Sequence, residues 1–257
     1  ETGIAVNVAF VDKGMAERLE AEGDRSPADL VLTVDIARLM QIVEADVTQA
    51  VQSDVLEANI PVELRDPADH WFGLTSRARI VYASKDRVAA GEVTTYEDLA
   101  SDKWKGRLCT RSGIHDYNIA LLGAMIVHHG EADATAWAEG LKANLAKKPD
   151  GGDRDQVKAI AAGECDIALG NTYYMGQMLA DPEQQAWADA VSIVFPTFEA
   201  GGTHLNISGV AMTKSAPNKE NALKFMEWLS SDTAQKIYAE TNYEFPVKPG
   251  VARSELV

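Results

Sequence analysis

Short apolar runs of strand length alternate along this chain with amphipathic stretches of helical period, and that alternation admits few architectures. Ile4–Val11 (IAVNVAFV) reads as a strand and Gly14–Ala21 as a helix. Asp29–Val34 (DLVLTV) reads as a buried strand, with Asp35 placed to cap the helix IARLMQIVEA. Trp71–Ser84 is a long strand that alternates from Arg77 to Tyr82 as a half-exposed one would. Thr94–Asp98 offers a threonine cap with acids behind it and predicts a short helix. Lys105–Thr110 predicts a strand, Tyr117–His129 and Ala132–Ala146 predict helices, and Lys147–Asp153 is a turn-rich break. A helix over Arg154–Ala162 then leads to a strand at Cys165–Leu169, closed by Gly170-Asn171, with a helix starting at Tyr173. Val191–Phe195 and His204–Thr213 predict strands; Asn218–Leu229 and Asp232–Ala239 predict terminal helices.

This order implies an α/β fold with βαβ units and largely parallel sheets. There is no internal repeat, Rossmann glycine fingerprint or phosphate-binding loop. With 257 residues and no obvious linker, the expectation is two lobes joined by strands, Trp71–Ser84 passing out and His204–Thr213 returning. The expected boundaries are 1–82 plus 205–257 for one lobe and 83–204 for the other. Such a chain would have an interlobe cleft, where small ligands bind.

Composition removes several classes of function. The formal net charge of −15 argues against nucleic acid or an anionic membrane as partner. No apolar run approaches the ~20 residues of a membrane-spanning helix. His70, His115, His128, His129 and His204 form no HExxH, and Cys109 and Cys165 form no CxxC, so zinc chemistry is not indicated. No GxSxG or comparable motif supports a hydrolase, and the chain is not expected to be an enzyme. The two cysteines fit either one disulfide or two buried thiols. The sequence starts at Glu1 without Met or an apolar leader, so a signal peptide is expected to be removed or outside this chain.

Gly170-Asn171-Thr172-Tyr173-Tyr174 directly follows a buried strand, the edge at which open α/β sheets bind ligands. Taken alone, adjacent tyrosines read as one ring in the core and one at the surface. Only an irregular turn or a first helical turn would bring both hydroxyls to one point. Tyr117 follows another strand, beyond the turn Arg111–Asp116. If Cys109 and Cys165 pair, those two strands are neighbours and the three phenols approach one another. Converging phenols suit a hard, highly charged cation able to displace their protons, and Fe3+ fits best. Arg111 and Arg154 could hold an accompanying anion, although each alone also reads as a surface ion pair. Asn171 reads as a turn or cap residue, with a supporting role at the site as the alternative.

The segments DLVLTVD (29–35), WFGLTSRARIVY (71–82), TTYEDLASDKWKGRLCTRSG (94–113), GGDRDQVKAIAAGECDIALGNTYYMG (151–176) and THLNISGVAMTKSAPNKENALKFMEWLSS (203–231) resemble the ferric-iron-binding periplasmic proteins of bacterial ABC importers. The similarity is to the type whose ligands are mostly tyrosines. It implies a two-lobed periplasmic-binding-protein (Venus-flytrap) fold that binds Fe3+ in the cleft and delivers it to an ABC permease. It carries Tyr173, Tyr174 and Tyr117 over as metal ligands, suggests a disulfide between Cys109 and Cys165, and leaves Arg111 as a residue for an anion such as carbonate. A monomeric periplasmic protein taking ferric iron or a ferric chelate is expected. The alternative is the same fold with another solute: a polyamine, thiamine or an organic anion. Members of the family usually begin with a further strand whose loop adds a tyrosine or histidine ligand, and usually continue beyond Val257 through another helical stretch. The expectation is therefore a fold lacking terminal segments.

Overall fold

The computed structural model describes residues 2–11 and 13–257. In chain order its elements are α1 (Met15–Glu22), β1 (Leu30–Thr33), α2 (Ile36–Glu44), β2 (Thr48–Gln49), α3 (Asp54–Asn59), β3 (Phe72–Ser84), β4 (Leu108–Cys109), α4 (Asp116–His129), α5 (Glu131–Ala143), α6 (Asp153–Ala161), β5 (Ile167–Asn171), α7 (Tyr173–Ala180), α8 (Gln185–Asp189), β6 (Val191–Val194), β7 (Leu205–Thr213), α9 (Lys219–Leu229), α10 (Asp232–Ile237) and β8 (Phe245–Pro246).

The chain divides into two compact units, Glu1–Ser76 with Ile207–Arg253, and Arg77–Asn206 with Ser254–Val257. It passes from the first to the second within β3 and returns within β7.

In the first unit β7 takes both β1 and β2 as antiparallel neighbours, and β8 pairs antiparallel with the start of β3. One face of this sheet packs Leu56, Phe72, Leu74 and Val210 against Met226 and Leu229 of α9. The other packs Val31 and Ala211 against Leu39 and Ile42 of α2. Asp35 caps α2, its carboxylate accepting from Ala37 N–H at 2.8 Å, as its place before the apolar repeat predicts.

In the second unit β3 pairs antiparallel with β5 and β6, while β4 and β5 are parallel. The parallel pair is the one joined by a helical crossover, α4 to α6, which parallel neighbours require. The core holds Val81, Leu99, Trp104, Leu108, Leu121, Met125, Trp137, Ile167 and Leu169. Cys109 and Cys165 form a disulfide with Cα atoms 5.9 Å apart, tying β4 to the segment that leads into β5.

Three sequence expectations are corrected. The sheets are mixed and mainly antiparallel, because β3 and β7 are long strands whose neighbours run against them. Residues 4–11 form no strand: Val6, Val8 and Phe10 are exposed, and an apolar run makes a strand only where an edge receives it. β3 is buried along its whole length, not half-exposed. Arg77 and Arg79, which gave it an alternating pattern, are 1% and 2% exposed. The region after Thr94 forms a 3-10 turn at Glu97–Ala100, with Thr95 Oγ1 accepting from Asp98 N–H.

Candidate functional site

The site lies in the second unit, at the C-terminal ends of β4 and β5. β5 runs into α7 with only Thr172 between them, so Tyr173 and Tyr174 are the first two residues of a helix. Thr172 is fully buried and ties the turn to β3: its N–H donates to Ala78 C=O, and its hydroxyl accepts from Ala78 N–H. Tyr117 occupies the first turn of α4, which His115 caps by accepting Tyr117 N–H at Nδ1.

These turns bring phenols together. Tyr117 Oη and Tyr173 Oη are 3.1 Å apart, and the Tyr173 and Tyr174 ring centroids are 4.2 Å apart at 41°. Burial pushes the Tyr173 hydroxyl far above the usual tyrosine value, and the neighbouring Tyr117 and Tyr174 push it further. Burial also raises Tyr174, against a lowering by its hydrogen bond with Tyr173. Both are therefore neutral near pH 7 until something displaces their protons.

Beneath the phenols lies a buried ionic network. Asp153, the first residue of α6, is 1% exposed. It accepts from Arg79 Nη1 at 2.5 Å, from Asn171 N–H at 3.0 Å and from Arg111 Nη1 at 3.5 Å. Arg79 also donates from Nη1 to Asn171 Oδ1 at 3.1 Å and from Nη2 to Asn118 Oδ1 at 2.7 Å. The guanidinium carbons of Arg77, Arg79 and Arg111 lie 5.7, 5.9 and 5.2 Å from the Tyr117 ring centroid. A small hollow beside Tyr117 is lined by Arg77, Arg79, Asn171 and His204. Burial, with Arg79 and Arg77, holds the His204 imidazole down to about 4.

The structure thus gathers Tyr117, Tyr173, Tyr174, Arg111 and Asn171. Asn171 is nearly buried; it faces the network, not solvent, and its carbonyl accepts the Tyr82 hydroxyl at 2.6 Å. Arg154 is exposed, donates to Gln184 at 3.3 Å and stands 6.0 Å from the Tyr174 ring centroid. An open hollow next to Tyr174 is bordered by Arg111, Arg154, Gln184 and Trp187. His128 and His129 lie away from the phenols, stacked on Phe198 and paired with Glu97 respectively.

Sequence reasoning misses Arg79, Asp153 and Asn118. Arg79 has a legible signal: it interrupts a segment whose flanks, Trp71–Leu74 and Ile80–Ala83, are apolar on both faces. A charge in a strand buried on both sides needs a partner. Nothing local marks Asp153 as that partner, 74 residues away.

As a metal site the arrangement fits a small, hard, highly charged cation. Two oxygens on adjacent vertices of an octahedron, each about 2.0–2.1 Å from a small cation, lie about 3 Å apart. The Tyr117 and Tyr173 hydroxyls already stand at 3.1 Å. Among the described residues no three His, Cys, Asp or Glu side chains are grouped to hold a metal; the side-chain oxygens of Tyr117 and Tyr173 are within hydrogen-bond distance of each other.

The profile of the bacterial extracellular solute-binding proteins matches residues 1–236. The chain is 47% identical over 261 residues to iron uptake protein A1 of Synechocystis sp., covering 100% of this chain and 72% of that protein. It is similar to the crystal structure of apo ferric ion-binding protein A from Pasteurella haemolytica, with TM-score 0.94, 54% identity, and coverage of 100% of this chain and 80% of that one. A Trichodesmium FutA structure in complex with iron and citrate superposes with TM-score 0.90 at 46% identity, covering 94% and 77% of the two chains.

Proposed function

This chain belongs to the bacterial extracellular solute-binding protein family, and from that premise we propose that it captures Fe3+ in the periplasm through tyrosine phenolates and delivers it to an ABC permease. The observation that carries the reading is the 3.1 Å approach of the Tyr117 and Tyr173 hydroxyls, with Tyr174 packed against Tyr173. Three phenolates balance the charge of one ferric ion, and their hard oxygens suit it. Relatives named for iron uptake and ferric iron binding support the same cargo.

Each residue has a task. Tyr117, Tyr173 and Tyr174 supply oxygens and give up their protons. Arg111 and Arg154, which border the hollow beside Tyr174, hold an anion such as carbonate or the carboxylate of a chelate, through guanidinium hydrogen bonds. Asn171 supports the site from behind by joining Arg79 and Asp153 to the start of α7. Nothing is turned over; a monomer binds, releases protons and hands on its cargo. The guanidinium groups around Tyr117 disfavour an organic cation such as a polyamine or thiamine, which brings no compensating negative oxygens.

The test is the visible absorption of the purified protein during titration with a ferric chelate, beside the Tyr173→Phe/Tyr174→Phe variant. A broad, saturable phenolate-to-iron charge-transfer band is expected in the parent and not in the variant. Saturable iron binding without that band, or a band that survives the double substitution, sinks the ligand assignment.

A further inference from the structure

Arg79 is joined to both tyrosine-bearing turns, and its guanidinium carbon stands 5.9 Å from the Tyr117 ring centroid. Its backbone is fixed on β3: its Cα partner in β5 is Asn171, its N–H donates to His204 C=O at 3.0 Å, and its C=O accepts the Tyr96 hydroxyl. Its guanidinium therefore leaves from a fixed point. One arm reaches Asn171, two residues before Tyr173, and Asp153; the other reaches Asn118, next to Tyr117. Asn118 in turn donates to Thr110 Oγ1, Arg111 C=O and Ser112 C=O, all within 3.2 Å. Through this one side chain the turn after β4 and the turn after β5 are referenced to the same atoms.

We propose that Arg79 is a positioning residue that sets the spacing of the Tyr117 and Tyr173 hydroxyls for metal binding. The proposal rests on the iron reading above and deepens it. The planar fork is what the role requires: the two arms leave one rigid plane, and a lysine ammonium can reach Asp153 but cannot hold two amides in fixed directions as well. The ion pair with Asp153 keeps the buried guanidinium in place, and both charges would be costly if either were left alone. Outer groups that orient metal ligands typically change metal affinity by about 10–100-fold when substituted. The same range is expected here, although Arg79 lies one residue beyond the ligands.

Arg79→Lys is the informative variant, because it keeps a positive charge opposite Asp153; Asn118→Ala removes the arm to α4 together with the Asn118 bonds to Thr110, Arg111 and Ser112, and leaves the pair with Asp153 in place. Three measurements separate the outcomes: thermal unfolding, ferric affinity by chelator competition with the charge-transfer band recorded, and the crystal structure of each metal-free variant. The expected result is folded protein with a Tyr117–Tyr173 hydroxyl separation above 3.1 Å, affinity about 10–100-fold weaker and a displaced band. A lower unfolding temperature with the hydroxyl spacing, band and affinity unchanged would assign Arg79 to stability alone and overturn the proposal. The metal-free spacing keeps the two readings distinct. If the parent protein shows no ferric band, the iron reading fails, while the crystal structures still decide whether Arg79 sets the spacing.

Discussion

Lowering the pH should weaken iron binding far more steeply than ordinary surface electrostatics would. Tyr173 and Tyr174 are both raised above the usual tyrosine value, by burial first in each case. An ordinary tyrosine, with a pKa of ~10, already costs about 4 kcal/mol to ionise at pH 7, three units at about 1.36 kcal/mol each. Each of these two costs more, and the metal–oxygen bonds must offset the sum. The sign follows from proton counting: the free protein holds the protons and the complex does not, so affinity rises with pH. Each proton released contributes one decade of affinity per pH unit. The two raised phenols alone give about a hundredfold change per unit, and a third phenolate ligand makes it about a thousandfold. Chelator competition between about pH 6 and 7.5, corrected for the chelator's own protonation, measures that slope. Proton release in a weakly buffered titration measures it independently. Tyr173→Phe should remove one proton from the count. Fewer than two protons per iron in the parent protein, or an unchanged count in the variant, refutes phenolate ligation by this pair.

Three other outcomes follow from the second unit. A Cβ at Gly170 would meet the ring of Tyr82, whose hydroxyl holds the Asn171 carbonyl; Gly170→Ala should cost about 1–3 kcal/mol in urea unfolding and weaken iron binding as well. Burial and the two arginines hold folded His204 at about 4, against about 6.5 in an unfolded chain. The unfolded state therefore takes the proton more readily, and the stability present above about pH 6.5 declines as pH falls towards 4, by about 3 kcal/mol. His204→Gln should flatten that part of a stability–pH profile. Replacing both Cys109 and Cys165, 56 residues apart, releases a closed loop worth about 4 kcal/mol in the chain-entropy account; denaturant midpoints of the double Cys→Ser variant check it.

What the sequence made legible was local. Asp35 caps α2 because its carboxylate needs only the N–H two residues on. The placing of Tyr173 at a strand-to-helix edge needs only the apolar run before it and the Gly170-Asn171 break. The buried network was not legible, because it joins Arg79, Asn118, Asp153 and Asn171 from β3, α4, α6 and β5. Alternation in Arg77–Tyr82 misled for the same reason: a buried charge satisfied from a distant element has the same local pattern as a solvated one. Residues 4–11 misled in the opposite sense, since their apolar run has no receiving edge among the described residues.

The charges around the phenols bear on what can be bound. Arg79 and Arg111 stand 5.9 and 5.2 Å from the Tyr117 ring centroid, and the single carboxylate of Asp153 meets both guanidinium groups. A site built simply to attract a cation would not be lined this way, because like charges at that range oppose its arrival. The arrangement favours a cation only if it is bound with more negative oxygens than its own charge. On the proposed reading three phenolates bring Fe3+ to neutrality, and an accompanying anion makes the assembly negative; the guanidinium groups then stabilise the complete unit and not the bare ion. Such a site should prefer ferric iron over divalent ions, because a divalent ion displaces phenolic protons less readily and leaves fewer negative oxygens for the arginines to meet.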